Sequence, residues 1–200
     1  MGIDNLYGEY KNLLVAPVSL KNTLLDLIKE EIEKAKAGEE TSIFLKMNSL
    51  TDRQLIDALK EASQSGVKIK MIIRGICCIL PGIEGKTDNI EVISVVGRFL
   101  EHSRIFCFGT GENMKMYIAS ADWMTRNTEN RVEIAAPIYD QKIKNSIYDT
   151  LRIMWKDNLK ARILCSDGTY KKPEIKEGDE LIDCQNYLRH EYKVGRKIKL

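Results

Sequence analysis

His102 stands in the run RFLEHSRIFCF, two positions before Arg104 and at the mouth of an alternating apolar stretch. On an extended strand side chains repeat with a period of two, so imidazole and guanidinium project to one side. A nucleophile or proton donor with a cation beside it is suited to holding and transferring a phosphate. Arg74 closes the apolar run VKIKMIIR directly before Gly75, the carboxyl end of a strand, where open α/β sheets bind ligands. In NRVEIAAPI, Arg131 and Glu133 alternate with Val132 and Ile134. One side of that strand would then carry a phosphate-gripping arginine and a carboxylate able to orient an imidazole. The plain alternatives are a surface histidine, an arginine reaching out to solvent and an ordinary salt-bridged strand. Weaker candidates are Lys46 and Asn48 in KMNSL, and Ser120, Asp122, Arg126 and Asn127 in SADWMTRN, where Asp and Asn also serve as turn caps. His190 lies in a charged tail and reads as a bystander.

These residues need a frame. NLLVAP reads as a short strand, and residues 18–37 carry Leu20, Leu24, Ile28, Ile32 and Ala35 at helical spacing, with Gly38 as the stop. SIFLKM is a second strand. TDRQLIDALKEASQSG then opens with Thr51 and Gln54 at capping-box spacing and closes at Gly66, before the strand VKIKMIIRG. Strands alternating with helices imply right-handed crossovers and a largely parallel sheet. After a glycine-rich loop, IEVISVV, RIFCF and KMYIAS follow without a long helix between them, then RVEIAAPI and a helix over 140–156. Beyond about residue 166 the chain is polar and Lys-rich, which suggests a weakly packed extension.

With 31 Lys and Arg against 29 Asp and Glu, the formal charge of +2 is too balanced for nucleic acid or an anionic membrane to be recognised by bulk charge. Any anion site must be local. The five cysteines have no CxxC spacing, and adjacent Cys77 and Cys78 suit a shared zinc poorly, so no metal site is expected and the thiols read as reduced, mostly core groups. No apolar run approaches a membrane span, and no signal-peptide core opens the chain. A cytoplasmic location is expected, with peripheral membrane association left open.

The runs KMNSL, IIRGICC, GRFLEHSRIFCF and SADWMTRNTENRVEIAAPI, in this order, resemble the C-terminal part of the bacterial polyphosphate kinase family that autophosphorylates on histidine. The resemblance covers roughly residues 10 to 168. It implies a fold, α/β, of phospholipase D-like half-domain type, with a mixed, mostly parallel sheet and helices on both faces. It implies reversible transfer of the γ-phosphate of ATP to polyphosphate through a phosphohistidine. Arg74 and His102 match its ATP-binding positions and Arg131 a phosphate-contacting one; His102 and Glu133 are the expected catalytic pair, with Arg104 beside them. Phospholipase D enzymes carry His-x-Lys, a later Asp and a Gly-Ser-x-Asn turn, whereas this chain has Arg104, Gly109 and SADW at those places. These departures argue against phosphodiester hydrolysis.

The family's HHPY-type and THAK-type motifs do not occur in the 200 residues. The resemblance therefore implies a C-terminal fragment, inactive alone, whose phosphohistidine and Mg²⁺ ligands belong to missing N-terminal domains. Residues 1–10 would be a leader from the preceding domain, 11–168 the phospholipase D-like domain and 169–200 a polar tail. The expected partners are ATP or ADP, polyphosphate and the missing domains, with a homo-oligomer at full length and no nucleic acid. The alternatives are a phospholipase D-type phosphodiesterase or nuclease, and a non-catalytic phosphate-binding module.

Overall fold

Apolar spacing of three to four residues and of two divides the chain into helices and strands, as a computed structural model, describing residues 10–194, bears out. β1 (Leu14–Ala16) leads into α1 (Leu20–Lys36), β2 (Ser42–Met47), α2 (Arg53–Gln64) and β3 (Lys68–Ile73). A long loop precedes β4 (Ile90–Val95), β5 (Arg104–Phe108) and β6 (Lys115–Ala119); α3 (Thr125–Glu129), β7 (Glu133–Ile138) and α4 (Gln141–Trp155) follow. β8 (Ala161–Leu164), β9 (Tyr170–Lys171) and α5 (Cys184–Lys193) complete the order. Residues 1–9 of the expected leader, and 195–200, lie outside the described residues.

The strands form one sheet in the order β1-β7-β6-β5-β2-β3-β4-β8-β9. Alternation along each strand serves both faces. Leu45, Met71 and Phe106 point toward Leu24, Ile28, Leu55 and Leu59 of α1 and α2. Phe44, Ile72 and Ile105 point toward Leu151 and Met154 of α4 and Leu188 of α5. Both faces being covered, β2, β3 and β5 each carry successive apolar residues, as in IFL, MII and IFCF.

The α/β fold with helices on both faces is as expected, but the sheet is not mostly parallel. Parallel pairing is confined to β2 with β3 and β3 with β4, and the other neighbouring pairs are antiparallel. A parallel neighbour needs a crossover of a dozen or more residues, while β5 and β6 are joined by a short turn that reverses the chain. Asp52, not Thr51, caps α2, accepting from the Gln54 and Leu55 N–H groups.

The C-terminal stretch also differs from the weakly packed extension expected beyond about residue 166. Residues 174–181 are exposed, yet β9 pairs with β8, and α5 returns to the body with Cys184, Gln185 and Leu188 buried. Cys184 and Leu188 stand one helical turn apart and so share a stripe. The cysteines are free, as expected, though only Cys107 and Cys184 are buried and Cys78 is exposed. No described helix is long and apolar enough to cross a membrane.

Candidate functional site

β2 and β3 end at the same edge of the sheet, and the loops after β2, β3 and β6 are stitched together there by main-chain hydrogen bonds. The Leu50 N–H donates to the Ile76 carbonyl at 2.8 Å, the Cys78 N–H to Leu50 at 2.9 Å and the Thr51 N–H to Trp123 at 2.8 Å. Gly75 donates to the Asn48 carbonyl at 2.7 Å, and a Cβ at Gly75 would lie 2.9 Å from that oxygen, so only glycine fits without a shift. This floor brings most of the sequence candidates to one end of the sheet.

Asp122 is the hub of the floor. Its Oδ1 accepts from the Asn48 N–H at 2.7 Å and the Ser49 N–H at 3.3 Å. The Asn48 side-chain amide reaches the same carboxylate. Arg104 engages it as a fork, Nε at 3.2 Å from Oδ1 and Nη2 at 2.9 Å from Oδ2, a geometry that fixes the guanidinium plane. Burial pushes the Asp122 carboxyl up, but the Arg104 fork, the Asn48 and Ser49 N–H groups and the Arg104 charge outweigh it and hold the group below its usual range.

Arg104 in turn holds His102. Its Nη1 donates to the His102 carbonyl at 2.8 Å and lies 2.9 Å from Nδ1. Arginine has only donors, so a ring nitrogen that meets it at hydrogen-bond distance does so as an acceptor. The same guanidinium lies 3.3 Å from Nε2. The imidazole is exposed, resting on a cation whose charge Asp122 balances.

On the β3 side, the nearly buried Lys46 amine donates to the Ser103 hydroxyl at 2.9 Å and carbonyl at 3.1 Å, and lies 3.6 Å from a Glu101 oxygen. Burial lowers its pKa most; Glu101 opposes this, and the Arg74 and Arg104 charges add to the lowering. Arg74 itself is half-buried, and its guanidinium, like those of exposed Arg126 and Arg131, has no hydrogen-bond or ion-pair partner among the described residues. Arg74 and Arg131 rise from well-separated places along this end of the sheet. Four strand spacings separate β3 from β7, about 19 Å at ~4.8 Å each.

Glu133 is placed differently from the expected imidazole-orienting carboxylate. Its oxygens accept from the Ser120 hydroxyl and, at 2.9 Å, from the Asn127 amide, and neither reaches His102. The carboxylate that acts on the histidine does so through Arg104, and it is Asp122, a weaker candidate from sequence. Ser103 and Glu101, which fix the loop around His102, were not singled out by sequence; their only signal is adjacency to the histidine. Among the described residues no group of three or more His, Cys, Asp or Glu is arranged to hold a metal ion. The carboxylates at this edge are engaged by Arg104, Lys46, Ser120 and Asn127. The residues here do not fit Mg²⁺.

Known proteins share this chain's sequence pattern and its fold. The family described as "Polyphosphate kinase C-terminal domain 2" matches residues 13–185. A polyphosphate kinase of Thermosynechococcus vestitus is 50% identical over 171 residues, covering 86% of this chain and 23% of that protein. The crystal structure of polyphosphate kinase from Porphyromonas gingivalis superposes with a TM-score of 0.89 at 37% identity, over 94% of this chain and 28% of that one. Nuc from Salmonella typhimurium, a phospholipase D family member, shares the fold alone, with a TM-score of 0.54 at 16% identity over 80% of this chain and 97% of that one. The chain thus spans about a quarter of the length of the two kinases.

Proposed function

This chain belongs to the polyphosphate kinase family, matched over its C-terminal domain 2, and we propose from that premise that its sheet edge is the phosphate-handling wall of such a kinase. The observation that carries the reading is the exposed His102 ring, braced by Arg104 and Asp122, between guanidiniums at Arg74 and Arg131 that have no ion-pair partner among the described residues. Phosphoryl transfer asks for positioning and charge neutralisation rather than covalent work from the wall. Arg74 and Arg131, widely spaced, suit an extended polyanion better than one phosphate.

In the whole enzyme the γ-phosphate of ATP would pass to polyphosphate, reversibly, through a phosphohistidine outside these 200 residues. His102 binds or protonates the transferring phosphate, Arg74 holds the nucleotide phosphates and Arg131 the polyphosphate. Glu133 shapes the turn beside Arg131 through Ser120 and Asn127. Mg²⁺ is held by other parts of the enzyme, which works in the cytoplasm as a homo-oligomer.

The chain alone is expected to bind polyphosphate with an affinity that falls steeply as salt rises, because exposed charge contacts are screened. The double variant Arg74→Ala, Arg131→Ala should bind at least about a hundredfold more weakly, since two charge-assisted contacts are lost, each worth on the order of 1.5–3 kcal/mol. Filter binding of labelled polyphosphate at low and high ionic strength measures both. Binding indifferent to salt and to the double substitution would contradict the reading. Incubated with labelled ATP and Mg²⁺, the chain should form neither polyphosphate nor an acid-labile adduct. A stoichiometric label on His102 would instead favour the phospholipase D type of chemistry.

A further inference from the structure

The loop between β4 and β5, residues 96–103, carries His102 and is largely exposed. Val96, Phe99 and Leu100 are 62%, 42% and 76% exposed. Such a segment, lacking regular structure and apolar cover, has little of its own to define its conformation. Besides the Arg104 bonds to His102, two contacts from outside the loop do so. At its far end Lys46 grips Ser103 and Glu101. At its near end the clip is Gln185, the second residue of α5.

The Gln185 side chain pairs with the Phe99 backbone at both ends. Its Oε1 accepts from the Phe99 N–H at 2.8 Å, and its Nε2 donates to the Phe99 carbonyl at 2.7 Å. Each end of the carboxamide meets the complementary group, so the pair imitates one rung of an antiparallel ladder. Gln185 is itself only 5% exposed. It is held in place from beneath: Asp157 Oδ2 accepts from the Cys184 N–H at 2.8 Å, while its Oδ1 accepts from the Leu159, Lys160 and Ala161 N–H groups. Gly97 completes the contact, because a Cβ there would lie 2.4 Å from Gln185 Oε1 and displace the carboxamide.

We propose that Gln185 is a positioning residue for the phosphate site, its carboxamide latching the 96–103 loop so that His102 meets Arg104 in one fixed orientation. This rests on the function proposed above for His102. The arrangement makes the C-terminal helix, 86 positions away in sequence, part of the site without touching the ligand. Gln185→Ala removes both hydrogen bonds. Gln185→Glu keeps the acceptor and loses the donor, so it should fall between. Gly97→Ala attacks the same contact from the loop side and leaves α5 chemically unchanged.

The test measures amide hydrogen exchange, the His102 ring signals in NMR spectra and polyphosphate binding on the same chain, with circular dichroism to establish folding. In Gln185→Ala and Gly97→Ala the Phe99 amide should exchange at least about tenfold faster than in the parent, with β2 and β3 amides unchanged. The His102 ring resonances should shift or broaden, and polyphosphate affinity should fall severalfold, with Gln185→Glu intermediate. Phe99 exchange unchanged in folded variants would overturn the latch. A loop that opens while the His102 signals and the affinity stay at parent values would overturn its positioning role. Absence of polyphosphate binding in the parent would strike the proposed function instead, and the exchange and ring-signal readouts would still decide whether Gln185 holds the loop.

Discussion

Replacing His102 by alanine in a polyphosphate kinase carrying this chain is expected to slow phosphate transfer by on the order of 10² to 10⁴, the range for a positioned acid or base, with the fold intact. The ring is exposed and its contacts within the chain are to Arg104, so its loss opens no cavity and leaves only a solvent-reachable guanidinium edge without a partner. His102→Gln should recover part of the rate if the ring only donates a hydrogen bond, since an amide can donate yet cannot deliver a proton. Single-turnover transfer with each variant measures the difference. A folded His102→Ala enzyme working at the parent rate would reduce RFLEHSRIFCF to a strand with an ordinary surface histidine.

Asp122→Ala should be the most damaging change to stability at this end of the molecule. The Arg104 and Asp122 side chains are 10% and 11% exposed, and removing one partner of a nearly buried pair strands the other charge, at a cost of about 3 kcal/mol or more. The Asn48 and Ser49 N–H groups lose their acceptor as well. The pH dependence follows from the direction of the Asp122 shift. A carboxyl held below its unfolded pKa of about 3.9 contributes stability that is fully present above that pH and is lost as pH falls through the folded value. Denaturant unfolding should therefore show a wide gap between parent and Asp122→Asn near neutrality, narrowing as the solution is acidified below about pH 4. A gap that stays constant into acid would mean that the Asp122 charge does not carry the effect.

Much of the frame was legible because its signals are local. Helical spacing at Leu20, Leu24 and Ile28 announces the buried face of α1, and the apolar stretches of β2 and β3 announce strands covered on both sides. Strand-end positions likewise pointed to Arg74, His102 and Arg131, since a charge closing an apolar run needs a reason. Partner choice was hidden, because partners lie far apart along the chain. Asp122 meets Arg104 across 18 positions and Asn48 across 74, while Glu133, placed by alternation on the expected side, is taken by Ser120 and Asn127 before it can reach the imidazole. α5 was missed for another reason. Its polar stripe dominates the composition of the tail, and only Cys184 and Leu188, one turn apart, mark the side that packs.

The most direct test of the phosphate-handling edge is a titration of the isotope-labelled chain with short polyphosphate, followed amide by amide in NMR spectra. The account predicts shifts concentrated at the loops after β2, β3 and β6 and before β5 and β7, around Arg74, His102, Asp122 and Arg131, and abolished at high salt. Amides at the opposite end of the sheet, near Gly66 and Gly111, should stay still. Shifts gathered instead in the cleft between β4, β8 and Trp155, or none at concentrations that saturate a kinase containing this chain, would contradict it.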